Sequence, residues 1–187
     1  AICAGDFLIS AAYKCLAESK AENLSELITV THKHVNDAIN GQIEDLSQSK
    51  DHSLADIGTY EQICANKSGA LLGMCLTLPM VACNYSDKTT TAKKVFEHYA
   101  TAYQICDDLN DIAEDQAKKG RQAAVNIYTV LQQQGYSHPF EASKELAQTH
   151  IRKAQRLVPE MPEQVRDILR KEFVKIAERV HNMGPSL

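Results

Sequence analysis

Apolar side chains recur at spacings of three and four along almost the whole chain, as in Leu24, Leu27, Ile28, Val35, Ala38 and Ile39. That period stacks them on one face of an α-helix. No stretch alternates polar and apolar residues between Gly or Asn turns, as a half-buried strand would. The spacing therefore predicts an all-α protein built as an antiparallel helix bundle.

Capping and breaking residues divide the pattern into elements. Asn23 followed by Glu26 reads as a capping box that opens a helix over residues 23–46, with a polar loop over 47–53. A long apolar helix is expected over 59–83, bent or ended by Pro79, whose ring removes a backbone donor. After a turn at 84–87, Thr89 to Thr91 can cap the next helix. That helix carries Val95, Phe96, Tyr99, Tyr103 and Cys106 into a dense acidic stretch closed by Lys118, Lys119 and Gly120. A short helix over 126–134 should end at Gly135 as a left-handed cap. Pro139 then suits the first position of a helix over 139–157, and a last helix is expected over 162–183. No repeat, low-complexity tract or linker divides the 187 residues, so 1–187 is expected to be a single helical domain. It opens on Ala1-Ile2-Cys3, without Met and already in helical pattern, and the expectation is a fragment of a longer protein.

Composition narrows the function. Hydrophobic residues at 44% and charged residues at 24% are those of an ordinary globular protein. The net charge is −4 and Lys and Arg are dispersed, so no basic surface is offered to nucleic acid. The most apolar run, residues 70–83, is too short to cross a bilayer and contains Thr77 and Pro79. No secretory signal opens the sequence, and a cytoplasmic protein is expected. The six cysteines, Cys3, Cys15, Cys64, Cys75, Cys83 and Cys106, form no CxxC pair and read as small buried hydrophobes in a reducing compartment.

The chemistry is concentrated at one place. Gln104, Asp107, Asp108 and Asp111 fall at spacings of three, four and seven, which on a helix makes one polar stripe with three carboxylates pointing the same way. Each like-charged neighbour costs about 0.2–0.5 kcal/mol on an exposed helix. Glu114 and Asp115 have Lys118 and Lys119 four residues on, whereas Asp107 and Asp108 have no such cation. A solvated acidic face is one reading. The other is a hard divalent cation: magnesium is commonly held by one or two carboxylates together with substrate phosphate oxygens. Zinc would call for His or Cys, and a di-iron bundle for paired Glu-x-x-His motifs, which this sequence lacks. His32 and His34, two apart, cannot share a helix face and read as surface residues.

The string Tyr103-Gln104-Ile105-Cys106-Asp107-Asp108-Leu109-Asn110-Asp111 closely resembles the second aspartate-rich motif of the trans-isoprenyl (polyprenyl) diphosphate synthases. Gly5-Asp6-Phe7-Leu8 is similar to that family's Gly-Asp segment, and Gly41-Gln42 with Asp45 to its Gly-Gln-x-x-Asp. Lys67-Ser68 resembles its Lys-Thr, and Gly120-Arg121 stands where Gly-Lys is usual. Five landmarks in order are more specific than any one of them. The resemblance covers residues 1–135 and reaches the remainder only as two amphipathic helices.

The resemblance implies an isoprenoid-synthase bundle lacking its N-terminal helices, and a geranyl-, farnesyl- or geranylgeranyl-type prenyltransferase. Such an enzyme ionises an allylic diphosphate and joins it to isopentenyl diphosphate. It further implies Mg2+ at Asp107, Asp108 and Asp111, with Gln104 beside them. Lys67 and Ser68 join these as catalytic residues, and Lys67, Arg121 and Gln42 contact diphosphate. Homodimerisation of the full-length form is also implied. In this family the helix carrying Leu71, Leu72, Met74, Leu76 and Leu78 borders the tunnel for the growing chain, although by spacing alone these residues are core. The sequence departs from the family in holding neither its first aspartate-rich motif nor the basic segment upstream of it. Ser68 replaces Thr and Arg121 replaces Lys, and Val125-Asn126-Ile127-Tyr128 follows where Asp-Leu-x-x-x-Lys is common. A catalytically silent partner of a prenyl synthase and a terpene cyclase are the alternatives; Lys67-Ser68 and Gly41-Gln42 suit an elongating synthase better than a cyclase.

Overall fold

Helix α5, Thr89–Asn110, carries buried residues around most of its circumference, among them Ala92, Val95, Ala100, Ala102, Ile105, Cys106 and Leu109. Most of the other helices pack directly on it in a computed structural model that describes residues 2–48, 56–112 and 125–184. Regular structure among the described residues is entirely helical, as the three-and-four spacing predicts. In chain order the flanking elements are α1 (Ile2–Glu18), α2 (Leu24–Gln48), α3 (Ile57–Cys64) and α4 (Ala70–Ala82). After α5 come α6 (Ile127–Gln133), α7 (Pro139–Leu157) and α8 (Glu163–Asn182).

The C-terminal helices follow the expected boundaries because their ends are chemically marked. Asn126 caps α6 by accepting from the Tyr128 N–H at 2.9 Å. Gly135 follows at φ +82°, a conformation that a Cβ would strain. Pro139 stands in the first turn of α7, whose Ser143, Ala147, Ile151 and Ala154 form a buried stripe against α5. Phe173, Ile176 and Val180 seat α8 in the same core. Burying such side chains contributes roughly 1.5–3 kcal/mol each, enough for tertiary packing rather than propensity to hold these helices.

Several expectations change. The run over 59–83 is not one α-helix: between α3 and α4 lies a π-helical turn, Ala65–Gly69, containing Lys67 and Ser68. Pro79 is accommodated inside α4, which ends three residues later where the Cys83 N–H bonds the Pro79 carbonyl at 2.9 Å. The Asn23 side-chain amide does not cap its own helix; it donates to the Val81 carbonyl and ties the start of α2 to the end of α4. His34 is buried rather than at the surface, within 2.9 Å of the Thr77 hydroxyl, while His32 is exposed as expected. Of the six cysteines only Cys64 and Cys106 are buried; Cys3, Cys15 and Cys75 are exposed on helices, and Cys83 is exposed in the turn after α4. No described helix is long and apolar enough to cross a membrane.

The π turn is wedged between α2 and α5. A Cβ built on Gly41 would fall 2.5 Å from the Lys67 backbone nitrogen, and one on Gly69 would fall 3.1 Å from the Glu97 Cα. Glycine at both positions lets two helices close on the turn from opposite sides. This accounts for a residue in mid-α2 that costs about 1 kcal/mol in helix propensity relative to Ala.

Candidate functional site

The close crossing at Gly41 brings Asp45, one turn further along α2, onto Lys67. The Lys67 ammonium donates to Asp45 Oδ2 at 2.6 Å, and the carboxylate is almost wholly buried while the lysine side chain is about a third exposed. The second oxygen, Oδ1, accepts from the Val125 N–H at 3.3 Å. Gln42 and Ser68, next in sequence to Gly41 and Lys67, are half-buried.

Two residues later the same strand of chain grips the aspartate motif. The Ile127 N–H donates to Asp108 Oδ2 at 3.0 Å, and the Asn126 amide donates to the Asp108 carbonyl at 3.2 Å. The Tyr60 hydroxyl also donates to Oδ2, at 2.8 Å, and the Gln104 amide to Oδ1 at 3.0 Å. Burial, then the charge of Asp108, pushes the Tyr60 phenol far up its scale, so it stays a donor. Burial and the charges of Asp108 and, more weakly, Asp45 push the Cys64 thiol up as well, which makes it a packing residue rather than a nucleophile.

The three carboxylates therefore do not point the same way. Adjacent helical residues are turned by about 100°, so Asp108 faces the bundle and Asp107 its rim. Asp108 is 7% exposed, whereas Asp107 is half-buried and Asp111 is exposed. The helix also stops sooner than expected: α5 ends at Asn110, and Asp111 is its C-cap, donating its N–H to the Asp107 carbonyl at 3.0 Å. The rest of the acidic stretch, residues 113–120, and Arg121 lie outside the described residues.

The last turn of α5 holds Asp107 and Asp108 with no basic residue of its own. Carboxylates at the negative end of a helix dipole are unfavourably placed, and a cation there would relieve both charges at once. The donor set, hard carboxylate oxygens with open sides at Asp107 and Asp111, fits magnesium in company with phosphate oxygens. It does not by itself make a closed site: no group of three or more metal-binding side chains occurs among the described residues.

Sequence reasoning missed Tyr60 and a second participant from the far end of the chain. Arg179, from α8, donates to Asp107 Oδ1 at 2.6 Å, and its guanidinium lies 4.7 Å from the centre of the Tyr103 ring. Tyr103 stacks on Tyr99, which meets Phe173 edge-on. Leu72 and Leu76, core by spacing and tunnel-bordering by resemblance, line with Val95, Phe96 and Phe173 an apolar cleft of about 440 Å³ between α4, α5 and α8, and Leu76 also packs against the core.

The sequence model of the polyprenyl synthetase family matches residues 1–170. The curated farnesyl diphosphate synthase of Bacillus subtilis (strain 168) is 23% identical over 192 residues, an alignment covering 97% of this chain and 63% of that protein. The chain thus spans less than two thirds of that relative's length. A geranylgeranyl pyrophosphate synthetase from the archaeon Geoglobus acetivorans superposes with a TM-score of 0.79 at 19% identity, over 97% of this chain and 66% of its own. A polyprenyl synthetase from Streptomyces coelicolor A3(2) gives 0.73 at 20% identity, over 94% and 64%. At these identities the solved structures share the fold.

Proposed function

The chain belongs to the polyprenyl synthetase family, and from that premise we propose that it carries one half of the metal and diphosphate site of a trans-prenyltransferase, which joins an allylic diphosphate to isopentenyl diphosphate. The observation that carries this reading is the last turn of α5. Asp107, whose Oδ1 is met by Arg179 from α8, and the exposed Asp111 stand at the carbonyl end of a helix whose last turn carries no basic residue, beside a buried Asp108 that is held by Tyr60, Gln104 and the Ile127 N–H.

In this reading the motif divides its labour. Asp107 and Asp111 hold Mg2+, and Asp108 with Gln104 fixes the rotation of α5 that presents them. Bound magnesium supplies positive charge to the departing diphosphate. Lys67, aimed by Asp45 and raised on the π turn, has a partly exposed side chain that offers its ammonium to the same diphosphate, with Ser68 next to it in the chain and Gln42 next to Gly41. Arg121 belongs to this proposal through the family resemblance. Stabilising the leaving group is the larger electrostatic task in such an ionisation, because fixed charges in a desolvated site need no reorganisation as charge develops. Homodimerisation and a cytoplasmic location remain proposals of the same kind.

The test is product formation by the full chain from labelled isopentenyl diphosphate and an allylic diphosphate, with Mg2+ and after its chelation. Elongated product that disappears on chelation and returns with Mg2+ is expected. Diphosphate binding without any product would favour the silent-partner alternative.

A further inference from the structure

The Arg179 guanidinium occupies the Asp107 oxygen nearest to it at 2.6 Å, a place that a metal-bound carboxylate would have to share. One negative charge cannot serve a divalent cation and a guanidinium equally, because the two positive groups would be held in close repulsion. Arg179 is also suited to moving. Its side chain remains about a third exposed, and it rests against the face of Tyr103, the residue one turn before Asp107, which provides a platform for a planar cation. Its own helix is anchored by Phe173, Ile176 and Val180, so the side chain rather than α8 is the adjustable part. Arg179 lies beyond residues 1–170, the part that the family model matches.

We infer that Arg179 is the resident counter-ion of Asp107, and that it transfers to diphosphate when a divalent cation takes the carboxylate, coupling metal binding to diphosphate binding. The inference rests on the proposed role of Asp107. Without diphosphate, metal must displace the guanidinium and leave it beside a cation. With diphosphate present, the guanidinium gains a bidentate acceptor and the carboxylate is released. Each ligand then tightens the other by the same factor.

The experiment measures Mn2+ binding to the full chain by electron paramagnetic resonance, with and without inorganic pyrophosphate, in the wild type, Arg179→Gln, Arg179→Lys and Asp107→Ala. Arg179 is exposed enough that its variants should keep the helix content and Tm of the wild type. Arg179→Gln should bind Mn2+ alone about tenfold more tightly than wild type, and the tightening by pyrophosphate should shrink by about tenfold, with Arg179→Lys between the two. If Arg179→Gln matches wild type in both respects while Asp107→Ala loses Mn2+, the counter-ion role is wrong and the metal site stands. If Asp107→Ala binds Mn2+ as the wild type does, the metal site itself fails and the coupling with it.

Discussion

Lys67 reaches Asp45 at 2.6 Å across two helical segments whose backbones touch at Gly41. The ion pair depends on the missing Cβ. The Asp45 side chain is buried and that of Lys67 is about a third exposed, so the contact fixes where Lys67 starts from without removing it from solvent. Gly41→Ala should push α2 away from the π turn and cost about 1–3 kcal/mol of stability, the range for an overpacked contact. Urea unfolding would check this, and a midpoint equal to wild type would mean that the crossing relaxes freely.

Asp107 and Asp108 should separate cleanly in mutagenesis, although they are neighbours in sequence. Asp108→Asn removes the charge that strengthens the bonds from the Tyr60 hydroxyl and the Ile127 N–H and, with its oxygen kept on those two donors, turns an NH2 toward the Gln104 amide, at a cost of about 2–3 kcal/mol. Asp107→Asn alters a half-exposed ion pair with Arg179 and should change stability by less than about 1 kcal/mol. Thermal melts of the two variants measure the difference directly, and equal losses would contradict the division of the motif.

What could be read from the sequence was what local chemistry marks. Pro139, Asn126 and Gly135 delimit α6 and α7 because each satisfies or forbids a particular backbone group. The π turn at Ala65–Gly69 escaped because one extra residue per turn leaves a three-and-four pattern almost unchanged. Asp108 was grouped with Asp107 and Asp111 because spacing tells which residues share a face, and not how that face is rotated against the bundle. Arg179 is 72 positions from Asp107, and in sequence it is one of several basic residues on an amphipathic helix. Its signal, in hindsight, was the absence of any cation in the last turn of α5.

A second polar cluster predicts how stability responds to acid. His98 Nδ1 lies 3.1 Å from His150 Nδ1, and His150 Nε2 lies 2.8 Å from Glu61 Oε1. Burial, then the neighbouring His150 and the charges of Lys153 and Lys94, lowers His98 to about 4 from its ordinary 6.5, against the opposing pull of Glu61. Burial lowers His150 too, opposed by Glu61. Between pH 6.5 and 4 the unfolded chain therefore binds more protons than the folded one. The stabilisation is present above pH 6.5 and is lost as pH falls through that window, by on the order of 2 kcal/mol for His98 after discounting its partial exposure. Tm measured from pH 7 to 4 should fall, and His98→Gln should flatten the profile; an unchanged slope in the variant would assign the acid sensitivity elsewhere.

The division of the aspartate motif is tested most directly by a crystal structure of the full chain with Mg2+ and inorganic pyrophosphate. The expected result is magnesium at about 2.1 Å from carboxylate oxygens of Asp107 and Asp111, sharing pyrophosphate oxygens, with Asp108 still bonded to Tyr60 and the Ile127 N–H. Magnesium bound through Asp108, or pyrophosphate bound with no metal at the end of α5, would contradict it.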